Sequence, residues 1–335
     1  MAQVANTFET YDAVGNREEL ADVIYRQTPE ETPFLSLIGR KPVKTVHPEW
    51  QIDTLGAIDL NNNQPEGNEW DFDAVVPTSR VGNYTQISDK KVIISRTQDK
   101  TDKAGRKSEL AREIADAGVE LRIDMEAICL SNQASSAGSG NGATNRTTGG
   151  FRAWLATNDN MNSGTSGGFN STTSVVDAAS NGTQRAFTKT ILDSVILSTF
   201  NAGGRPRVLM LSPYVKTVFS TFMADSNVAP QRYETPKGDQ TTIVAAADTY
   251  LSDFGKITTV VNRQMARAGA GVARNAFLID PKMVTLGVFD DIQLQKPAKT
   301  GDAEKRVLNV EYTLLVKNEA AHGVAADLFG LTASS

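Results

Sequence analysis

The sequence predicts an α+β protein, and three patterns support this. A long helix is indicated over residues 101–133, where apolar residues recur every three or four positions. Alternating strand patterns stand on both sides of it, before residue 98 and near the C-terminal end. From residue 188 onward, shorter strands and helices form a compact α/β pattern. One long helix, long strands and a smaller α/β unit are therefore expected.

Length and charge limit the functions to consider. The 335 residues exceed what one hydrophobic core usually serves, so two packed units are expected. A net charge of −5 argues against a surface that grips nucleic acid by neutralising its phosphates. Cys129 has no second cysteine to pair with, which fits a reducing compartment and a small buried side chain. The sequence contains neither a signal-peptide pattern nor an apolar run long enough to cross a membrane.

The first element, residues 1–45, is expected to be an arm. Pro29 and Pro33 prevent a continuous helix, whereas Phe34 and Leu35 are strongly apolar. Such a segment has to bury these side chains against another surface. The pattern leaves two alternatives open, a strap over its own domain or an arm over a neighbouring subunit.

Residues 46–98 follow as a predicted long β-hairpin. Strand-like segments flank a middle that is rich in Asn, Gly and Pro, which is typical of a polar tip rich in turns. A two-stranded ribbon of this kind has no core and is marginally stable in water. Its aromatic residues therefore need a partner surface.

The long helix at 101–133 is the clearest element. At 1.5 Å per residue, its length would be about 45 Å. Its outer face is mostly charged, so we expect the apolar face to lie along a sheet. The residues expected to pack there are Leu110, Ile114, Leu121, Met125 and Ile128.

The remaining segments complete the predicted architecture. Residues 134–182 are rich in Gly, Ser, Asn and Thr and are expected to form a loop. In the α/β unit, Ser212 and Pro213 have the pattern of a helix start. Asp280 and Pro281 repeat that pattern after another strand. Two long strands joined by a turn end the chain.

Motifs for catalysis or metal binding are absent or weak. The sequence has no phosphate-binding loop, no HExxH and no CxxC. GTSGG around Ser166 fits GxSxG, but it stands in low-complexity sequence instead of between a strand and a helix. DLNNN at 59–63 starts like a calcium loop, yet Gln64 and Trp70 replace the required glycine and glutamate. We expect no catalytic, cofactor or metal site.

A polar cluster follows the last predicted strand. It consists of Lys317, Asn318, Glu319 and His322. No nucleophile or metal partner stands at a motif spacing from His322. We interpret the cluster as polar groups that lock the end of the strand, or as an edge between subunits.

The order of these parts resembles the Hong Kong 97-type major capsid proteins of tailed bacteriophages, in the branch typified by elongated-headed podoviruses. The resembling segments are REELADVIYRQTPEETPFLSLIGR (17–40), HPEWQIDTL (47–55), NYTQISDKKVIIS with AGRKSELAREIADAGVELRIDMEAICLSNQ (within 83–133), GGFRAWLATN (149–158), NAFLIDPKMV (275–284) and KTGDAEKRVLNVEYTLLVKNEAAHG (299–323). Each segment is weakly specific alone, whereas together they cover nearly the whole chain. Residues 159–182 carry no part of the resemblance.

The resemblance implies a Hong Kong 97-type capsid fold and a non-enzymatic subunit of a shell around packaged double-stranded DNA. The implied parts are an N-terminal arm (1–45), an extended hairpin loop (46–98), a peripheral domain (101–187 and 285–335) with a spine helix (101–133), and an axial domain (188–284). The residues expected to contact neighbouring subunits are Phe34, Leu35, Trp50, Trp70, Phe72 and Tyr84.

Partners and location also follow from the resemblance. The chain is expected to form hexamers and pentamers with itself and to act with a separate scaffolding protein, a portal and a decoration protein. It would enclose DNA without sequence-specific binding and without a membrane, in the virion, after folding and assembly in the host cytoplasm. Because the arm begins at once, no fused scaffold is expected, and Lys90 and Lys91 are not expected to crosslink.

Two other functions remain as alternatives. One is a different virion structural protein, such as a tail or decoration subunit. The other is a serine hydrolase that uses Ser166 with His322.

Overall fold

The computed structural model describes residues 26–69, 72, 74–222 and 248–330. The rest of the predicted arm, Trp70 and part of the predicted axial domain lie outside the described residues. The helices are α1 (Pro33–Leu37), α2 (Arg96–Lys100), α3 (Glu109–Leu130), α4 (Phe151–Trp154), α5 (Lys189–Asn201), α6 (Pro213–Thr221), α7 (Arg263–Arg267) and α8 (Ala270–Ala273). The strands are β1 (Gly39–Pro42), β2 (Glu49–Ile52), β3 (Ser79–Gly82), β4 (Gln86–Ser95), β5 (Asp159–Asn160), β6 (Gly168–Asn170), β7 (Val175–Asp177), β8 (Val208–Leu211), β9 (Thr249–Ser252), β10 (Gly255–Val261), β11 (Ala276–Ile279), β12 (Val284–Gln295), β13 (Ala303–Val316) and β14 (Gly323–Ala325).

A four-stranded sheet in the order β1-β12-β13-β4 supports the long helix α3. Strand β13 pairs antiparallel with β4 over ten positions and with β12 on its other side. Side chains alternate across β13, so that Leu308, Val310 and Tyr312 enter the core. The predicted pair of long C-terminal strands is therefore confirmed, and β4 belongs to the same sheet.

The spine helix is shorter than the sequence suggested. α3 begins at Glu109 and contains 22 residues, whereas a helix over 101–133 was expected. Ser108 caps it by accepting the Ala111 amide, and the Asp99 carboxylate accepts the amide of Glu109 at 3.1 Å. Because these acceptors satisfy the free amides of the first turn, the helix starts there instead of continuing toward α2.

The buried line of α3 is rotated from the predicted one. Leu121 and Met125 are in the core, as expected. The predicted packing residues Leu110, Ile114 and Ile128 are only half-buried. The fully buried line consists of Ala117, Leu121, Met125 and Cys129, spaced by four residues. The helix thus turns a slightly different face to the sheet than the apolar pattern indicated.

The second sheet has six strands in the order β5-β14-β11-β8-β10-β9. α6 begins as predicted, with the Ser212 hydroxyl accepting the Val215 amide and a proline in the first turn. Asp280 and Pro281 do not start a helix, and the prediction there is wrong. The Asp280 carboxylate instead accepts the Lys282 amide at 3.1 Å in a turn, because the chain joins the four-stranded sheet as β12 directly afterwards.

Two segments depart from their predicted roles. The hairpin over 46–98 is shorter than expected, since its pairing among the described residues is limited to β2 with β3. Residues 134–182 are not a plain loop, because Phe151, Trp154 and Val176 from this segment lie in the main core. β5 from this segment and β14 join the six-stranded sheet, which therefore crosses the predicted boundaries of the axial domain.

Candidate assembly surface

The segment between β2 and β3, residues 53–78, is here called the extended loop. β2 and β3 pair antiparallel from Glu49 opposite Gly82 to Ile52 opposite Ser79, and the pairing ends there. Beyond that point the chain exposes large apolar side chains to solvent. Those at least 85% exposed are Leu55, Ile58, Leu60, Phe72, Val75 and Val76.

Local hydrogen bonds shape the extended loop. The Asp59 carboxylate accepts the Asn61 amide at 2.8 Å, and the Asn68 side-chain amide donates to Gln64 at 2.6 Å. Such bonds between near neighbours make turns but bury no apolar surface. Six large apolar side chains exposed along one segment are more than the scattered single ones of an ordinary surface, and they mark this segment as a candidate interaction surface.

The base of the extended loop is anchored to the body of its own chain. The Trp50 indole donates to the Lys317 carbonyl at 3.1 Å, and its ring lies 5.6 Å from that of Trp154. His47 stacks on Tyr84 at 4.1 Å between ring centroids. Trp50 and Tyr84 are therefore half-buried within the chain, and their contact with a neighbouring subunit stays a prediction. Phe72 is exposed.

Phe34 and Leu35 are buried in the core of their own chain, so the prediction that they contact a neighbour is wrong. Phe34 is 0% exposed, and its ring lies 5.5 Å from that of Phe151. The physical reason is a buried carboxylate on α3. Glu126 accepts the amide of Phe34 at 2.7 Å and that of Leu35 at 2.8 Å, which fixes the start of α1 on the spine helix.

Glu126 joins three parts of the chain. Besides these two amides, it accepts a hydrogen bond at 2.6 Å from the side-chain amide of Asn262, which precedes α7. Burial raises the pKa of Glu126, and the hydrogen bonds from Leu35, Phe34 and Asn262 oppose that shift. Sequence reasoning missed this residue. The available signal was its position directly after Met125, away from the charged face of the helix.

A second set of contacts extends the same junction. The Asn262 side-chain oxygen accepts the Gln264 amide at 2.9 Å. The Gln264 side chain donates to the carbonyls of Pro29 and Glu31 at 3.0 and 3.1 Å. Of the two alternatives for the arm, its residues 29–37 therefore form a strap over their own domain.

The polar residues after the last long strand bond within the chain. The Lys317 ammonium donates to the Lys282 carbonyl at 2.8 Å. Asn318 accepts the Ala320 amide at 3.1 Å and so begins a short 3₁₀ helix, Glu319–Ala321. The Glu319 carboxylate accepts the amides of Ala156 and Thr157 at 3.3 and 3.2 Å. These contacts favour the interpretation of a strand-end lock.

His322 is a fully buried member of that cluster. Its Nδ1 accepts the Asp280 amide at 3.2 Å, and its ring meets Phe151 edge-on at 5.1 Å. Burial lowers the pKa of His322 to about 4, so the ring is neutral at physiological pH. Ser166 is exposed in the loop before β6, without the strand-to-helix turn of a nucleophile elbow.

Among the described residues, no three or more His, Cys, Asp and Glu side chains lie together in a way that could hold a metal ion. No helix in that part of the chain is both long and apolar enough to cross a membrane.

Comparison with known proteins gives consistent results. Residues 3–329 match the family of the SU10 major capsid protein. A major capsid protein of Escherichia phage Phieco32 is 35% identical over 127 residues, which are 38% of this chain and 36% of that protein. The chain thus spans about a third of the length of this curated relative.

Solved structures show the same fold over nearly the full length. A chain from Mycobacterium phage Adephagia gives a TM-score of 0.60 at 12% identity and covers 96% of this chain and 98% of its own. A chain described as the capsid asymmetric unit of Cyanophage A-1(L) gives 0.57 at 14% identity, with the same coverage of 96% and 98%. The predicted Hong Kong 97-type fold is confirmed by these likenesses. The match over residues 3–329 shows that the chain belongs to the SU10 major capsid protein family.

Proposed function

We propose that the chain is the major capsid protein of a tailed phage, a self-assembling and non-enzymatic shell subunit that encloses packaged double-stranded DNA. The observation that carries the proposal is the extended loop. Its exposed apolar side chains, such as Ile58 and Leu60, are 90% and 92% exposed in the single chain. A second copy of the chain supplies the surface that covers them.

The energetic scale supports a role in assembly. Full burial of one Leu or Ile side chain contributes about 1.5–3 kcal/mol, so a few such residues could drive association between subunits. The base of the extended loop is held by the Trp50 and Tyr84 contacts described above, so the loop projects from a fixed position. A loop held in this way loses less conformational freedom when it docks on a neighbour.

The charge of the chain agrees with a container for DNA. A net charge of −5 gives little general attraction for phosphates, so packaged DNA would not adhere to the subunits. We further propose that assembly takes place in the host cytoplasm. A separate scaffolding protein, a portal and a decoration protein are the proposed partners, as the family resemblance implies.

The test replaces apolar side chains of the extended loop. Ile58→Ser combined with Leu60→Ser is expected to leave the fold of the subunit unchanged and to abolish or strongly reduce shell formation. Circular dichroism reports the fold, and electron microscopy of the expressed protein reports the shells. The matched control is Asn62→Ser combined with Asn63→Ser, two polar changes in the same loop, which should assemble normally.

The outcomes distinguish a capsid subunit from the two alternative functions, a tail protein and a serine hydrolase. Normal shells from the Ile58 and Leu60 variant would contradict the role given to the extended loop. If the unmodified protein forms rings or tubes instead of closed shells, a tail protein becomes the better assignment. Serine hydrolysis finds no support, because His322 is buried and its Nδ1 accepts a backbone amide.

A further inference from the structure

A cavity of about 510 Å³ lies in the six-stranded-sheet unit, between the end of α5 and the β9–β10 hairpin. Its volume is within the range of small-molecule sites, roughly 300–1,000 Å³. The aromatic and cationic residues that line it are Phe200, Arg205, Arg207, Phe254 and Lys256. None of them takes part in the extended loop or in the strand-end cluster.

The charge of this cavity differs from that of the whole chain. Three cationic residues line it and no acidic residue does, although the chain carries 39 acidic against 34 basic residues. Among the described residues, none of Arg205, Arg207 and Lys256 has an ion pair or side-chain hydrogen bond. Three like charges around one concave surface raise the local potential and favour an anion there.

The backbone holds these cations on adjacent segments. Arg205 and Arg207 flank Pro206 where the chain enters β8, and Lys256 lies near the start of β10. β8 and β10 pair in parallel, and the Thr258 amide donates to the Arg207 carbonyl at 2.8 Å. The three residues therefore lie on neighbouring segments at one end of a hydrogen-bonded strand pair. Guanidinium groups placed in this way suit phosphate, because they can donate two hydrogen bonds to it.

An aromatic surface adjoins the cations. The rings of Phe200 and Phe254 pack at 4.7 Å between centroids, and each residue remains 42% exposed. The carbonyl oxygens at the end of α5 accept hydrogen bonds from the amides of Ala202, Gly203 and Gly204. These carbonyls therefore have partners within the chain. A partly exposed aromatic pair beside cations matches a ligand that joins an aromatic ring to phosphates.

We propose that this cavity binds a nucleotide, with its phosphate groups at Arg205, Arg207 and Lys256 and its base against the Phe200–Phe254 pair. Two sources could supply this chemistry, a free nucleoside triphosphate or the end of a nucleic-acid strand. The site belongs to the single chain, so its occupation does not depend on shell formation.

The test measures binding of ATP, inorganic triphosphate and a short oligothymidylate to the purified full-length protein by isothermal titration calorimetry. Arg205→Gln and Arg207→Gln are each expected to weaken ATP binding about tenfold, since each removes a charge-assisted contact worth over 1 kcal/mol. Phe254→Leu should weaken ATP binding and leave inorganic triphosphate unaffected. The matched control is Arg40→Gln, an exposed arginine on β1 with no role in the cavity. Electron microscopy of every sample confirms equal assembly states.

The results decide both the site and its ligand. Binding of ATP without binding of the oligonucleotide assigns a free nucleotide, and the reverse assigns a strand end. Absence of binding for all three probes overturns the proposal. So does binding that Arg207→Gln weakens no more than Arg40→Gln does, because the anion would then be held elsewhere. If Phe254→Leu affects ATP and triphosphate equally, the base does not use the aromatic pair.

Discussion

The junction at Glu126 provides the sharpest test of how the arm is attached. The substitution Glu126→Gln keeps the size of the side chain and replaces one carboxylate oxygen by an NH₂ group. All three partners of Glu126 are donors, namely the amides of Phe34 and Leu35 and the side-chain amide of Asn262. Two carboxylate oxygens can serve three donors, whereas a glutamine places its own donor against one of them.

The magnitude follows from burial. Glu126 is 0% exposed, so a donor that loses its acceptor gains no water in exchange. Each buried donor left without an acceptor costs about 1–3 kcal/mol. In Glu126→Gln, the NH₂ group of the glutamine faces a backbone amide, so that two donors lack an acceptor. We expect the free energy of unfolding to fall by about 2–4 kcal/mol. Glu126→Ala should cost more, because it leaves three donors unpaired and opens a cavity.

The assay is urea unfolding of the unassembled subunit, followed by tryptophan fluorescence. The matched control is Glu120→Gln on the same helix, whose side chain is 62% exposed and whose carboxylate lies 3.6 Å from the Lys90 ammonium. An exposed pair of this kind contributes under about 1 kcal/mol, so the control should unfold near the midpoint of the wild type. Equal midpoints for Glu126→Gln and Glu120→Gln would refute the role assigned to the junction.

Two further predictions concern the packed interior. The pKa of His322 falls from 6.5 to about 4 on folding, so the unfolded chain takes up a proton at a higher pH than the folded chain. The stability that His322 contributes is complete above pH 6.5 and is lost as the pH falls toward 4. The free energy of unfolding should fall by about 3 kcal/mol over that interval. The unfolding midpoints of wild type and His322→Gln should therefore converge as the pH falls. A pH profile that His322→Gln leaves unchanged would contradict this account. A Cβ on Gly182 would overlap the Asn162 carbonyl oxygen, so Gly182→Ala should destabilise by about 1–3 kcal/mol. Gly140→Ala meets no atom within 4 Å and should be neutral, and a similar thermal unfolding midpoint for both variants would show that the Gly182 backbone can move aside.

Periodicity predicted the secondary structure best where one physical effect decided it. The i, i+4 spacing from Leu121 to Met125 and the alternation along β13 both arise from one buried face, and both appear in the structure. Ser212 and Pro213 also start α6 as expected, since their effect on the first helical turn is local. The same local pattern failed at Asp280, where pairing with a distant strand overrode it.

Contacts between segments that are far apart in the sequence could not be predicted. Nothing in the sequence near Phe34 shows that its amide meets a carboxylate 92 positions away. The stretch after residue 134 is polar on average, yet Phe151 and Trp154 place it in the core once α3 and the sheets are assembled. The same holds for the cavity, where α5, the entry to β8 and the β9–β10 hairpin meet only in the folded chain.

By itself, the sequence determined the α+β class, the long helix with one apolar face, the final pair of strands and the resemblance to capsid proteins. Tertiary structure alone decided that residues 29–37 of the arm strap their own domain, that His322 is a buried neutral residue, and that the extended loop leaves its apolar side chains uncovered. The physical reason is that periodicity and capping depend on neighbours within one helical turn or one strand. Burial and hydrogen-bond satisfaction depend instead on which remote segments fill the space around a residue.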